Sequence, residues 1–219
     1  SSCHGMIVNN TITRNSAEDG GGGGRSCDGT IANCVIWANV APDDAQLSNS
    51  SVPTYSCIQD WEGGGQGNIS LDPQFVDPNG PDDKFSTYED NDYRLLPDSP
   101  CVDEGRNSLL NPPGLNLDGN LRIARWKYPI VAFVDMGAYE YNSKPFAVTQ
   151  VSFFPHARRL TWNSQPNDTY TVWVRSSLLT GEWSEPRTLA SQGETTSFND
   201  TGMLPIWCRM LFYRVEMGQ

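Results

Sequence analysis

Apolar residues in the first part of the chain form short clusters separated by Asn, Gly and Ser, a pattern typical of short strands and tight turns. The same order of residues occurs twice: residues 1–17 and 25–41, aligned without gaps, are identical at 8 of 17 positions. The matched pairs include Ile7 with Ile31, Ile12 with Ile36, Asn9 with Asn33 and Asn15 with Asn39. The spacing of these pairs gives an internal repeat with a period of 24 residues.

This period, built from short strands and Asn/Gly turns, is typical of one coil of a right-handed parallel β-helix. Equivalent side chains of successive coils then stack about 4.8 Å apart. The repeated isoleucines are predicted to form interior ladders, and the repeated asparagines turn ladders, because Asn tolerates a left-handed backbone. Residues 54–58 predict a third strand. The glycine tract at 19–24 predicts a flexible excursion, a loop that leaves the coils between two repeats. Coils are assigned to residues 1–66.

The last third of the chain has a different pattern. Segments 159–162, 169–174 and 211–215 alternate β-branched and aromatic residues with polar ones, which predicts strands of a small antiparallel β-sandwich over residues 144–219. Trp162 and Trp173 are expected in its core. Charge changes at the same place: residues 1–143 carry 20 acids and 8 bases, whereas residues 144–219 carry 6 acids and 7 bases. A domain boundary is therefore predicted near residue 143, in an all-β chain.

Overall charge and hydropathy exclude two classes of partner. The net charge of −11 argues against nucleic acid, because phosphate binding needs clustered cations. A membrane span is also excluded, since no apolar run approaches the roughly 20 residues that a bilayer requires. An acidic, water-exposed β-protein remains.

Four further segments are similar to the C-terminal end of secreted bacterial β-helix proteins of the pectin-lyase-like, choice-of-anchor type. They are 67–78 (GNISLDPQFVDP), 92–105 (DYRLLPDSPCVDEG), 117–123 (LDGNLRI) and 134–141 (VDMGAYEY). The resemblance implies that a loop-rich cap, residues 67–143, closes the final coils. The tail resembles the fibronectin-type-III-like modules that end many secreted bacterial proteins. Both resemblances imply an extracellular or cell-surface location, and neither implies an activity.

An extracellular location allows disulfides among the six cysteines. Stacking on neighbouring coils would pair Cys3 with Cys27, and Cys34 with Cys57. Pairing Cys57 with Cys101 is an equal alternative that would join the cap to the coils. Cys208 is expected to be unpaired and buried in the sandwich. Zinc is disfavoured, since the chain has no Cys-x-x-Cys and only two histidines.

Two kinds of binding site are candidates. Acidic loops can supply the six to eight oxygen ligands of calcium, which is the candidate cofactor. The candidate calcium ligands are Asp82, Asp83, Asp90, Asp92, Asp118 and Asn120. Tryptophans at strand ends or in loops can stack on sugar rings. The candidate carbohydrate-binding residues are Trp37, Trp61 and Trp183.

These observations favour a non-catalytic structural or adhesive protein, with polysaccharide as a candidate partner. No catalytic residue is assigned, because the coils lack the acidic ligand clusters and paired carboxylates of β-helix lyases and hydrolases. A β-helix that starts at Ser1 would expose unpaired strand edges. The expectation is therefore either upstream coils in a longer chain or head-to-tail self-assembly into a filament. The alternatives are the end of a polysaccharide lyase or glycoside hydrolase, or a carbohydrate-binding module.

Overall fold

The structure of the chain is a computed structural model that describes residues 4–84, 87, 89–110, 114–128, 131–155, 157–165, 168–177, 182–202 and 211–217. The chain divides into two compact units, unit 1 (Ser1–Ser143) and unit 2 (Lys144–Gln219). Strands form the regular structure of both units, and the described residues contain one helical turn, the 3-10 helix Asn107–Leu109. The fold is therefore all-β, as the sequence predicts.

Unit 1 begins with very short strands. They are β1 (Ile7–Val8), β2 (Thr11–Thr13), β3 (Gly24–Arg25), β4 (Ile31–Ala32), β5 (Val35–Trp37), β6 (Leu47–Ser48) and β7 (Cys57–Ile58). Four more strands follow in the remainder of this unit. They are β8 (Phe75–Asp77), β9 (Asp92–Leu95), β10 (Ile123–Ala124) and β11 (Phe133–Val134).

The first seven strands pair in parallel, repeat against repeat. Strand β1 pairs with β4 and β2 with β5, in the register that sets Ile7 beside Ile31 and Ile12 beside Ile36. Strand β3 pairs with β6, and β5 pairs on its other side with β7. The 24-residue repeat and the third strand are thus confirmed as units that stack strand on strand. We call β1–β7 the repeat stack.

Left-handed backbone conformations recur in columns through the repeat stack. Positive φ angles occur at Asn9, Asn33 and Tyr55, at Arg14, Ala38 and Asp60, and at Ser26 and Asn49. The asparagine ladder at Asn9 and Asn33 is confirmed, and the Asn33 amide donates to the Asn9 side chain at 3.3 Å. Asn15 and Asn39 differ from expectation, because each follows a left-handed residue instead of being one. Their side chains nevertheless hydrogen-bond each other at 3.0 Å.

The glycine tract is not the flexible excursion that the sequence suggests. Gly20 bridges to Asp43, and Gly24 lies in β3. A Cβ on Gly22 would lie 2.6 Å from the Val40 carbonyl oxygen, and one on Gly23 would lie 2.5 Å from that of Gln46. Backbones approach each other too closely there for any side chain, so the tract is a packed part of the repeat stack.

The central sheet β2–β5–β7 has side chains packed on both faces, because strand residues alternate in direction. Ile36 and Ile58 point to an inner core that also contains Cys27, Ile31 and Cys34. Val35 and Cys57 point to an outer cluster, where they meet Leu95, Cys101, Val102 and Met136. The described residues of 67–143, which the resemblance makes a cap, therefore supply the side chains that cover the outer face of this sheet. We call residues 67–143 the covering segment.

Backbone-to-side-chain hydrogen bonds attach the covering segment to the asparagine ladder. Asn33 accepts from the Arg106 amide at 2.8 Å and donates to the Arg106 carbonyl at 3.2 Å. Asn9 donates to the Asp135 carbonyl at 3.1 Å. The ladder side chains therefore satisfy buried backbone groups of a segment that is distant in sequence.

Unit 2 contains two three-stranded antiparallel sheets. One contains β12 (Val148–Phe154), β13 (Ala157–Asn163) and β16 (Thr195–Asp200); the other contains β14 (Thr169–Arg175), β15 (Arg187–Ala190) and β17 (Phe212–Met217). Leu160, Trp162 and Phe198 from the first sheet pack against Tyr170 and Val172 from the second. This shared core makes unit 2 the small antiparallel sandwich that the sequence predicts.

The two tryptophans expected in the sandwich core have different positions. Trp162 is fully buried, as predicted. Trp173 is not in the core: it alternates with buried Tyr170 and Val172 along β14 and points to the opposite face. The Arg214 guanidinium covers its ring at 5.0 Å from the centroid. Cys3 and Cys208 lie outside the described residues.

Candidate functional site

A groove of about 440 Å³ lies beside the repeat stack, between the segment that enters β6 and the turn that follows β7. Its lining residues are Asp44, Ala45, Gln46, Leu47, Gln59, Asp60, Trp61, Glu62 and Gly63. It contains one of the three tryptophans that the sequence singles out for sugar binding. We call it the Trp61 groove.

The Trp61 ring is held in one orientation by its neighbours. Its indole N–H donates to the Gly64 carbonyl at 2.7 Å, and the ring packs against the inner core of the repeat stack. Gly63 lies directly against the ring, since a Cβ there would be 2.5 Å from the indole Cζ2 atom. The side chain remains partly exposed. A fixed, partly exposed aromatic ring can stack on a sugar without losing much conformational entropy.

Two carboxamides line the same groove and are also fixed. Gln59 accepts from the Ala38 amide at 2.7 Å, and the Gln46 side-chain oxygen accepts from the Asn39 side chain at 2.8 Å. The Gln46 side-chain nitrogen donates to the Asn39 carbonyl at 3.2 Å and lies 3.5 Å from the Gln59 side-chain oxygen. Each carboxamide has two donors and two acceptor lone pairs. Gln46 uses its donors and acceptors on Asn39 and Gln59, so it holds Gln59 in place, and the Gln59 side-chain nitrogen is the donor available to a sugar hydroxyl.

Three carboxylates, those of Asp44, Asp60 and Glu62, give the groove a negative charge. The lining residues include no Lys or Arg that would balance it. A polyanion such as a uronic-acid polymer would be repelled, whereas a neutral or cationic sugar would not. The charge therefore narrows the class of ligand that the groove fits.

The other two tryptophans do not contribute to this groove. Trp37 packs against the outer cluster, on the opposite face of the central sheet from the inner core that Trp61 contacts. Trp183 belongs to unit 2, and the Arg175 guanidinium lies 5.1 Å from its ring centroid. The structure thus brings Trp61 together with polar partners and leaves Trp37 and Trp183 elsewhere.

The six candidate calcium ligands do not form one cluster. Arg94 binds Asp118 with two hydrogen bonds of 2.6 and 2.8 Å and also contacts Asp92 at 3.2 Å. This pairing raises the pKa of Arg94, so both carboxylates already contact a protein cation, which balances one of their two negative charges. The Asn120 backbone N–H donates to the side chain of Asn116 at 2.9 Å.

The remaining candidate ligands hold local turns. Asp82 accepts from the Lys84 amide and from the Thr87 hydroxyl, both at 3.0 Å, and Asp83 accepts from Asn79 at 3.1 Å. Asp90 lies against Gly80. No three His, Cys, Asp or Glu side chains within the described ranges are grouped so that they could hold a metal ion. Calcium binding remains a prediction.

The VDMGAYEY segment contains two buried carboxylates, Asp135 and Glu140. Asp135 accepts from the amides of Asp103 and Tyr141 at 2.7 and 2.5 Å, and Glu140 accepts from those of Ala124 and Asp135 at 2.8 and 2.9 Å. Burial raises the pKa of Asp135 to about 7 and that of Glu140 well above its usual range. Their role is to satisfy backbone amides in the covering segment.

The four described cysteines are buried free thiols: Cys27, Cys34, Cys57 and Cys101. The register explains why Cys34 and Cys57 do not pair. Cys57 lies beside Val35, and its side chain points to the outer cluster, whereas Cys34 points to the inner core. A pair with Cys3 involves a residue outside the described ranges.

The sequence predicts Trp61 as a carbohydrate-binding residue, but it does not predict that Gln46 and Gln59 line the same groove. Neither glutamine is part of the exact repeat, and their approach depends on how the second and third repeats stack. The Arg94–Asp118 pair was also missed, because it joins residues 24 positions apart in an irregular segment. The only available signal was the excess of acids around a single arginine.

Comparison with known proteins does not identify a family or a function for this chain. No protein-family model matches the chain, and no curated protein matches it. Within the part of the chain that the structure describes, no helix has both the length and the apolar character needed to cross a bilayer.

Proposed function

We propose that the chain is a non-catalytic, extracellular structural or adhesive protein that binds polysaccharide in the Trp61 groove. In this proposal the repeat stack consists of coils of a right-handed parallel β-helix, and unit 2 is a fibronectin-type-III-like module. The observation that carries the proposal is the combination of a fixed, partly exposed indole with two fixed carboxamides in one groove.

The groove charge defines the polysaccharide class. Asp44, Asp60 and Glu62 favour a neutral polymer or one with amino sugars, and they disfavour uronic acids. The proposed ligand therefore differs from the polyuronates that β-helix lyases cleave.

Titration calorimetry with three soluble polymers tests the proposal: a neutral β-glucan, a partly deacetylated chitin oligomer and polygalacturonate. The wild-type chain should bind the first or the second. Trp61→Ala should weaken that binding about tenfold, equivalent to about 1.4 kcal/mol. Trp126→Ala is the matched control, because Trp126 is 48% exposed and lies outside the groove. Equal binding by Trp61→Ala, or binding of none of the polymers, would contradict the proposal.

Because Trp61 also contacts the inner core, a second variant separates binding from folding. The double change Asp60→Asn and Glu62→Gln leaves the core intact and removes two negative charges. It should raise the affinity for polygalacturonate, while binding of the neutral polymer changes little. In parallel, polygalacturonate incubated with and without calcium should yield no unsaturated product. Product formation would favour the alternative, a lyase.

A second candidate function is self-association through the edge of the repeat stack. Ile31 and Ile36 are buried, whereas their partners Ile7 and Ile12 in β1 and β2 are only partly buried. A further parallel strand from another copy could cover this edge by β-augmentation. Negative-stain electron microscopy of the purified chain should then show filaments, and single discrete particles at all concentrations would contradict this candidate.

A further inference from the structure

Cys57 and Cys101 lie side by side in the outer cluster of unit 1. Both side chains are fully buried, and both pack in the same group of apolar residues as Val35 and Met136. The Cys101 and Cys57 thiols are within hydrogen-bond contact of each other. One sulfur belongs to β7 and the other to the turn after β9.

The other two described thiols have different partners. Cys34 contacts the carbonyl oxygens of Ala32 and Ile7 at 3.1 and 3.4 Å, and Cys27 contacts that of Arg25 at 3.7 Å. These contacts keep both side chains against the backbone of the repeat stack. Cys57 makes a similar contact, with the Leu71 carbonyl oxygen at 3.1 Å, but of these four thiols only Cys57 and Cys101 also contact each other.

The geometry points to Cys57–Cys101 as a disulfide that forms while the chain folds in an oxidising compartment. The reaction is thiol–disulfide exchange with a low-molecular-weight disulfide such as oxidised glutathione. Two protein thiols lose two protons and two electrons and form one S–S bond. The S–S bond of glutathione disulfide breaks, and two glutathione thiols are released.

Burial determines when the exchange can occur. The reactive species is the thiolate, and burial together with the Cys57 contact raises the pKa of the Cys101 thiol. In the folded protein both sulfurs are also closed to an oxidant. The bond must therefore form before the covering segment finishes packing on the central sheet, after the two cysteines have met.

The bond would fasten the covering segment to the repeat stack. It closes a loop from residue 57 to residue 101 and so restricts the unfolded chain. A disulfide with a loop of this size should raise the melting temperature of unit 1 by about 10 °C. This inference is independent of the Trp61 groove, which contains neither cysteine.

The test is peptide mapping of the full chain after refolding with reduced and oxidised glutathione. Free thiols are alkylated under denaturing conditions without reductant, and the digest is analysed by mass spectrometry. Trypsin leaves Cys27, Cys34 and Cys57 in one peptide, 26–84, and Cys101 in another, 95–106. A second cleavage before Asp44 is needed to separate Cys57 from Cys27 and Cys34. A linked pair containing Cys57 and Cys101 is the expected result.

Other outcomes overturn the inference. Alkylation of both Cys57 and Cys101 would show that no bond forms, and a link that contains Cys27 or Cys34 would show that the assignment is wrong. Thermal unfolding with and without reductant provides a second measurement. Reductant should lower the melting temperature of the wild type and of the matched control Cys34→Ala, but should leave that of Cys57→Ala unchanged. An unchanged wild-type melting temperature would count against the bond.

Discussion

The repeat stack and unit 2 both bury apolar side chains between strands, but they do so with different strand lengths and strand pairings. In the repeat stack the strands have two or three residues, and parallel neighbours come from successive repeats. In unit 2 the strands have four to seven residues, and antiparallel partners form two sheets with a common core. Short strands contribute few side chains each, so the repeat stack depends on residues at its turns, whereas unit 2 depends mainly on alternation within its strands.

The difference is visible in what surrounds each core. The repeat stack has columns of left-handed residues, a side-chain hydrogen-bond ladder, and glycines, such as Gly22 and Gly23, where a Cβ would lie too close to a neighbouring carbonyl oxygen. Unit 2 has a cluster of large side chains, among them Trp162 and Tyr170, whose rings meet edge to face at 5.6 Å. Unit 1 should therefore be sensitive to changes at individual backbone positions, and unit 2 to loss of side-chain volume.

The largest effect is expected from a charge in the inner core. Ile36→Asp would place an unpaired carboxylate at a fully buried position between Ile12 and Ile58. Unit 1 should lose at least about 4 kcal/mol of unfolding free energy. Calorimetry of the full chain should show its transition lost and that of unit 2 retained. Ile36→Val, expected to cost only about 1 kcal/mol, is the control. An unchanged transition would contradict the ladder assignment.

The reciprocal change removes volume from unit 2. Trp162→Ala should lower the unfolding free energy of that unit by about 3–5 kcal/mol, because Trp162 is fully buried between the two sheets. Trp173→Ala, on the outer face of the neighbouring strand, should cost less than about 1 kcal/mol. The same calorimetric experiment measures both variants. Equal losses would mean that the alternation along β14 does not determine stability.

The third prediction concerns the pH dependence of the stability of unit 1. Burial raises the pKa of Asp135 from 3.8 to about 7, near Asp103, Glu140 and Arg122. Between pH 4 and 7 the folded state therefore binds a proton that the unfolded state lacks, so unit 1 should lose stability as pH rises. The loss should be about 2–4 kcal/mol and should level off above the folded pKa.

Urea unfolding at pH 5 and pH 8 measures this loss. Asp135→Asn should be less stable at pH 5, because it loses one backbone acceptor, but it should show a smaller change between the two pH values. A wild-type unit 1 that becomes more stable from pH 5 to pH 8 would contradict the buried-acid interpretation.

The smallest expected effect is the difference in stability between two glycine-to-alanine variants of unit 1. A Cβ on Gly23 would lie 2.9 Å from Ile36 Cγ2 as well as close to the Gln46 carbonyl, whereas a Cβ on Gly5 would meet nothing within 4 Å. Gly23→Ala should therefore cost about 1–3 kcal/mol, and Gly5→Ala should be close to neutral. Thermal melts of the two single variants are sufficient. Similar melting temperatures would restore the interpretation of the tract as a flexible excursion.

Parts of this architecture could be predicted because they repeat. The pairing of Ile7 with Ile31 follows from identity at a fixed offset, and the two-residue alternation in β13 and β14 gives the sandwich. The glycine tract could not be interpreted in this way, since composition alone does not distinguish a mobile loop from a close approach of backbones. Trp173 was assigned to the core because alternation indicates two faces without saying which one is inside.

The candidate site, too, could be predicted only in part from local sequence patterns. Trp61 could be selected as a tryptophan in a loop, but its position beside Gln46 and Gln59 depends on the stacking of two repeats. The Cys57–Cys101 contact could be stated only as one of several pairings. The register that separates Cys34 from Cys57 is a property of the folded sheet.

By itself, the sequence determined the repeat, the stacking partners within it and the strand content of unit 2, because these depend on local periodicity and on residues at fixed offsets. Only the tertiary structure decided that the covering segment lies on the outer face of the central sheet, that Arg94 joins Asp92 to Asp118, and that an indole and two carboxamides share one groove. Those features bring together residues from segments without a common period. Their contacts are set by how irregular chain packs on a regular sheet.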